Sequence, residues 1–258
     1  MGWKKPIIHA MTSTDRGAMG VSRRLAGVDG CPAGWIVALS AGHEGPHRLH
    51  VCETFRDVLA LVGDSGIVVA DIPIGLLDER QPGGRCVDME ARRMLGPRRS
   101  SVFSPPIRPA LACKDWEAAR KFGLTLQGFA IMPKIRDVDQ LMTPALQRRV
   151  IESHPEVTFR HLAGVPMGHN KKRSAGRQER LRVLAKAASI AALSPFAEIN
   201  KVFDQDRRRL SRKEVALDDI IDAYVMLFVA ARYASGRAER IPPAPPADSR
   251  GLRMEMWL

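Results

Sequence analysis

Residues 24–41 read RLAGVDGCPAGWIVALSA. Two short apolar runs flank a turn rich in glycine and proline, the pattern of a β-hairpin. Leu49–Glu53 follows as a third strand. Phe55–Val62 places Phe55, Val58, Leu59 and Val62 on one face at helical spacing. Ile67–Ile72 (IVVADI) is a continuous apolar run broken only by Asp71, as a strand buried on both faces requires, and Pro73 and Gly75 end it. Three strands, a helix and a buried strand open a mixed α/β sheet. The crossover into the fourth strand makes part of that sheet parallel.

Beyond the fourth strand the pattern changes. Turn clusters (QPGG, FSPPIRP) separate helical segments at Cys86–Leu95, Trp116–Phe122 and Lys134–Met142, which reads as a helical insertion over about 76–147. Strand character resumes at Arg149–Ser153. Helices are expected over Arg177–Leu193 and Val215–Ala234. The IPPAPPA stretch at 241–247 cannot continue a helix, and GLRMEMWL at the end alternates like a short closing strand. Residues 1–23 show no periodicity and read as a flexible tail. The remainder, 24–258, reads as one domain.

Composition narrows the classes of function. The chain has 258 residues, 45% hydrophobic and 26% charged, which fits a globular protein and not a disordered or fibrous one. The longest clean apolar run, Ala223–Ala231, is nine residues, against ~20 for a membrane span. A cytoplasmic protein without membrane contact is expected. The four cysteines form no C-x-x-C pair, so reduced, buried thiols are expected and not a zinc site. Net charge is +12, unevenly spread. Residues 25–84 carry 3 bases against 8 acids, residues 85–149 carry 13 against 6, and residues 160–182 carry 7 against 1. An acidic centre flanked by basic arms suits a polyanion held over bound cations. An arginine-rich composition with no functional meaning is the plain alternative.

Carboxylates occupy telling positions. Asp29 ends the first apolar run, between Gly27 and Gly30, and Asp71 ends the buried fourth strand. On neighbouring strands they would meet at one sheet edge, where a divalent cation relieves their repulsion. Asp219 and Asp222 share a face near the start of the last long helix; Asp218 there reads as the helix cap. Hard oxygen ligands select Mg²⁺ or Mn²⁺, and a pair of such ions would clamp the attacking and leaving oxygens of a phosphodiester. Glu152 is a further carboxylate candidate and His154 a candidate proton shuttle. Arg98 and Arg99, with Lys171, Lys172, Arg173 and Arg177, are candidates to grip substrate phosphates.

The motifs GVDGCPAGWIVA, VVADIPIGL, RRSSVF, KIRDVDQL, VIESHPEVTF, KKRSAGRQERL, LDDIIDA and GLRMEMWL occur in that order. Together the string resembles the domain-of-unknown-function family 429, a predicted RNase-H-like nuclease family. The resemblance implies a ribonuclease-H-like α/β fold, a five-stranded mixed sheet of order 3-2-1-4-5 flanked by helices. It also implies that Asp29 and Asp71 meet, with Asp219 and Asp222 as the late-helix pair, and that the activity is metal-dependent phosphodiester hydrolysis. Two alternatives stand beside it. One is a non-catalytic nucleic-acid-binding protein on the same fold. The other is an ATPase of the actin and sugar-kinase type, for which a single GVDG turn in 258 residues is too little. A branched substrate would favour a homodimer.

Overall fold

A computed structural model describes residues 23–42, 47–191, 196 and 198–258; nearly all of the expected N-terminal tail lies outside them. The sheet is built from β1 (Leu25–Cys31), β2 (Gly34–Ser40), β3 (His47–Cys52), β4 (Ile67–Ala70) and β5 (Val150–Glu152). Its order is β3-β2-β1-β4-β5. β1 runs antiparallel to β2 and parallel to β4, and β5 is parallel to β4. This is the ribonuclease-H-like arrangement.

The helices are α1 (Phe55–Val62), α2 (Cys86–Leu95), α3 (Trp116–Lys121), α4 (Leu126–Leu141), α5 (Pro155–Ala163), α6 (Ser174–Ile190), α7 (Ile199–Arg209) and α8 (Leu217–Ala234). Two short strands, β6 (Arg240–Ile241) and β7 (Met256–Trp257), pair near the C-terminus, as the alternation there suggested. α1 begins where expected because Thr54 accepts a hydrogen bond from Asp57 N while the Asp57 carboxylate receives Thr54 N, a reciprocal cap. α4 differs from expectation. It starts eight residues before Lys134, capped by Thr125, and runs through Pro133. α5 follows β5 directly, in a stretch for which the sequence gives no helix, and Pro155 stands at its first helical position, where a missing N–H costs nothing. No helix among the described residues is long and apolar enough to cross a membrane. Cys31 and Cys52 are buried as expected, but Cys86 and Cys113 are only partly so.

Alternation along β1 divides the core. Ala26 and Val28 face one layer with Phe55, Val58, Met132 and Ile135 from α1 and α4. Leu25 and Cys31 face the other, where α8 lies. α8 is buried all round from Ile220 to Ala231, as befits a central helix. It comes into backbone contact with β1 because Gly27 has no side chain. A Cβ there would lie 2.0 Å from Leu227 N and 2.2 Å from Ala223 O. Gly27→Ala is therefore expected to cost at least about 1–3 kcal/mol through forced separation of helix and strand, measurable as a lowered denaturation midpoint.

Candidate active site

The close contact of Gly27 with α8 determines what happens two residues on. Side chains of a strand alternate, so Asp29 faces the same side as Gly27, toward the N-terminal turns of α8. Val28 pairs with Ala70 in the parallel register, and Asp71 N donates to Val28 O at 3.0 Å. Asp71 thus lies beside Asp29, one residue beyond the end of β4. Asp29, Asp71 and Lys171 line a cavity of about 500 Å³, together with Arg98, His154 and Glu156.

At the centre of the carboxylates stands an ammonium group. Lys171 Nζ donates to Asp222 Oδ2 at 2.5 Å and lies 3.9 Å from Asp218 Oδ2. Burial pushes the Asp29 carboxyl well above its ordinary range, and the nearby Asp71 and Asp222 push it further, against the pull of Lys171. Asp71 is also raised by burial, opposed by His154 and Lys171. Asp222 is pushed up to about 6, chiefly by burial, with Lys171 opposing. Burial alone would lower Lys171, but Asp222, Asp29 and Asp71 outweigh it and hold the amine protonated.

The late-helix acids exchange the roles expected of them. Asp219 occupies the third position of α8 and its carboxylate accepts from Ala216 N at 3.0 Å, so Asp219 is the cap. Asp218, one turn before Asp222, is the residue that approaches Lys171. Asp219 lines an adjoining recess with Lys172, Arg177 and Arg212.

Glu152 does not join Asp29. Its carboxylate receives Arg85 Nη1 at 2.9 Å, Arg85 Nη2 at 2.6 Å and Ile74 N at 2.7 Å. Arg85 also binds Asp88, at 3.0 and 2.7 Å. All three side chains are buried, which makes this an internal ion cluster. Burial raises the Glu152 carboxyl, with Arg85 acting against it. Its position at the end of β5 gives it the look of a site residue; the Arg85-x-x-Asp88 spacing at the start of α2 signals only the local half of the cluster, Arg85 with Asp88.

His154 stands at the cavity. Its Nε2 lies 3.2 Å from Ser101 O and donates to that carbonyl. Nδ1 is buried with no hydrogen-bond partner. Arg98 reaches the cavity wall, donating to Met167 O at 3.1 Å with Glu156 Oε2 at 3.3 Å. Glu156 itself forms an ion pair with the buried Arg180. Arg99 and Arg173 are exposed and outside the cavity. Lys134, which also lines it, donates to Gly34 O at 2.5 Å with its ammonium 5.0 Å from the Trp35 ring.

The donor chemistry suits Mg²⁺ or Mn²⁺: carboxylate oxygens from three elements, one of which, Asp222 Oδ1, is fully buried with no partner. Among the described residues no three His, Cys, Asp or Glu side chains stand as a ready ligand set. The cation that the carboxylates share in this arrangement is Lys171.

Fold and site together define an α/β protein of ribonuclease-H-like topology with an acidic cluster at the carboxyl end of its central parallel strands. The chain belongs to the domain-of-unknown-function family 429: the family model described as "Protein of unknown function (DUF429)" matches residues 27–247. Comparison with curated proteins and with solved structures gave no match.

Proposed function

We propose that this protein is a divalent-cation-dependent nuclease hydrolysing a phosphodiester at the edge where β1 and β4 end. The observation that carries the reading is the convergence of Asp29, Asp71 and Asp222 beside a cavity walled by Arg98, Lys134 and Lys171. Asp29, Asp71 and Asp222 would hold Mg²⁺ or Mn²⁺, with Asp219 at the margin. The bound cation supplies polarisation of the phosphoryl oxygen and activation of the attacking water. Arg98 and Lys134 orient the phosphate. The unpartnered Nδ1 of His154 takes up a proton. Lys171 holds the carboxylates together and would be free to meet a substrate phosphate where a cation took its place. Lys172, Arg173 and Arg177 extend the basic surface, and nucleic acid is the partner this surface suits. A cytoplasmic location, and a two-fold dimer for a branched substrate, complete the reading.

Lys171 also supports a second reading, in which the acidic cluster is neutralised internally and the protein binds nucleic acid without cleaving it. Thermal melts separate the two. Under the nuclease reading, Lys171→Ala lowers the melting temperature in chelator, and Mn²⁺ raises it by more than in the wild type. Saturation at a hundred times Kd contributes about 2.7 kcal/mol. No Mn²⁺-dependent shift in either protein would defeat the nuclease reading in favour of the second.

A further inference from the structure

A second cavity, of about 750 Å³, opens beside the acidic one and shares Phe103 and Gln127 with it. Its walls are the Leu77–Arg85 segment, the chain around 100–107 and the turn between α3 and α4. Its size is within the ~300–1,000 Å³ of cavities that enclose small ligands.

Its charge is one-sided. No acidic side chain lines it, whereas Arg80, Arg85 and Arg92 do. Arg85 is neutralised by Asp88 and Glu152. Arg92 is not: it donates to Val102 O, Gly83 O and Ser104 Oγ, all uncharged acceptors. Arg80 makes no hydrogen bond or ion pair among the described residues. Its guanidinium lies against Gly123, where a Cβ would come within 2.5 Å of Arg80 Cζ. Two cationic groups without acidic partners thus border a cavity that shares Phe103 and Gln127 with the one lined by Asp29 and Asp71.

We propose that this cavity binds the unpaired nucleotides flanking the phosphodiester at the acidic site, with a base against Phe103 and phosphates on Arg80 and Arg92. The proposal rests on the nuclease reading and adds that the substrate reaches the site as a single strand. Bases of a duplex are stacked within the helix and cannot enter a cavity, whereas an unpaired base can leave its stack and pack on an aromatic face. Arginine serves phosphates through its planar fork of donors.

Fluorescence anisotropy of the full chain carrying Asp29→Asn, with Mg²⁺, tests this. The probes are a labelled dinucleotide, a single-stranded decamer and the corresponding duplex. The single-stranded decamer is expected to bind more tightly than the duplex. Arg80→Ala should weaken the decamer by about tenfold and leave the dinucleotide unchanged, whereas Phe103→Leu, which removes the ring under a base flanking the phosphodiester, should weaken both by about tenfold. Arg80→Ala should also reduce the salt slope by about 0.7, the value of one single-strand phosphate contact. Arg80 is exposed, so its removal tests the cavity without disturbing the core. A photoreactive thymidine analogue beside the central phosphodiester should crosslink within 100–107 or 122–127 in the otherwise unaltered Asp29→Asn chain. Decamer binding untouched by both variants, crosslinking elsewhere, or preference for duplex would overturn the proposal while leaving the nuclease reading intact. Absence of binding to any probe would overturn both.

Discussion

Asp29→Asn is expected to lower cation-dependent cleavage by about a hundredfold or more while gaining in melting temperature over the wild type as pH rises. The loss follows because a cation-binding oxygen supplies several kcal/mol of transition-state stabilisation. The gain follows from electrostatics. Asp29 is buried beside Asp71 and Asp222, and all three are harder to ionise in the folded chain than in the unfolded one. A carboxyl whose folded pKa is raised contributes stability below its unfolded value and loses it as pH rises through the folded value. The wild type loses that contribution as pH rises, whereas the amide carries no charge at any pH, so the variant's advantage grows with pH. The advantage of the variant should therefore shrink on acidification toward pH 4. Asp222→Asn should lack the gain, because it also removes the partner that Lys171 meets at 2.5 Å. Paired melts and cleavage assays on the two variants check both halves. Equal activity of Asp29→Asn and wild type would remove Asp29 from the site.

Arg85→Ala should destabilise the fold by about 3–5 kcal/mol, because removing one member of a buried ion cluster leaves its partners uncompensated. The partners here are Glu152 and Asp88, both buried, with the carbonyls of Ile74 and Gly75 also losing a donor. For a chain of this size each kcal/mol corresponds to about 2–4 °C, so a fall of about 6–20 °C is expected. Glu152→Gln should cost much less, since Arg85 keeps Asp88 and the amide keeps the volume. It should retain cleavage. A cleavage defect in a folded Glu152→Gln chain would return Glu152 to the site.

The sheet was legible because its strands are short apolar runs bounded by glycine and proline, and because IVVA is buried on both faces. Asp29 and Asp71 were legible because a carboxylate ending such a run is conspicuous. The long-range partners were not. Nothing local in HNKKRSAG distinguishes Lys171, which enters the acidic cluster, from Lys172, which stays exposed at its edge. Arg85 and Glu152 lie 67 residues apart, and their pairing is a product of the fold. The exchange of Asp218 and Asp219 hinges on where α8 starts. Val215 was read as helical, but the helix begins at Leu217, which makes Asp219 the cap and turns Asp218 toward Lys171. The expected helix at Lys134–Met142 covers only the second half of α4, whose start is defined by the Thr125 cap.

The most direct test of the central claim is cleavage of labelled single-stranded, duplex, hybrid and branched DNA and RNA by the purified full chain, in Mg²⁺ or Mn²⁺ and in chelator. The account predicts cation-dependent cleavage, strongest on substrates with an unpaired strand and lost with Asp29→Asn. Cleavage that persists in chelator or survives Asp29→Asn would contradict it, as would a chain that binds these substrates and cuts none of them.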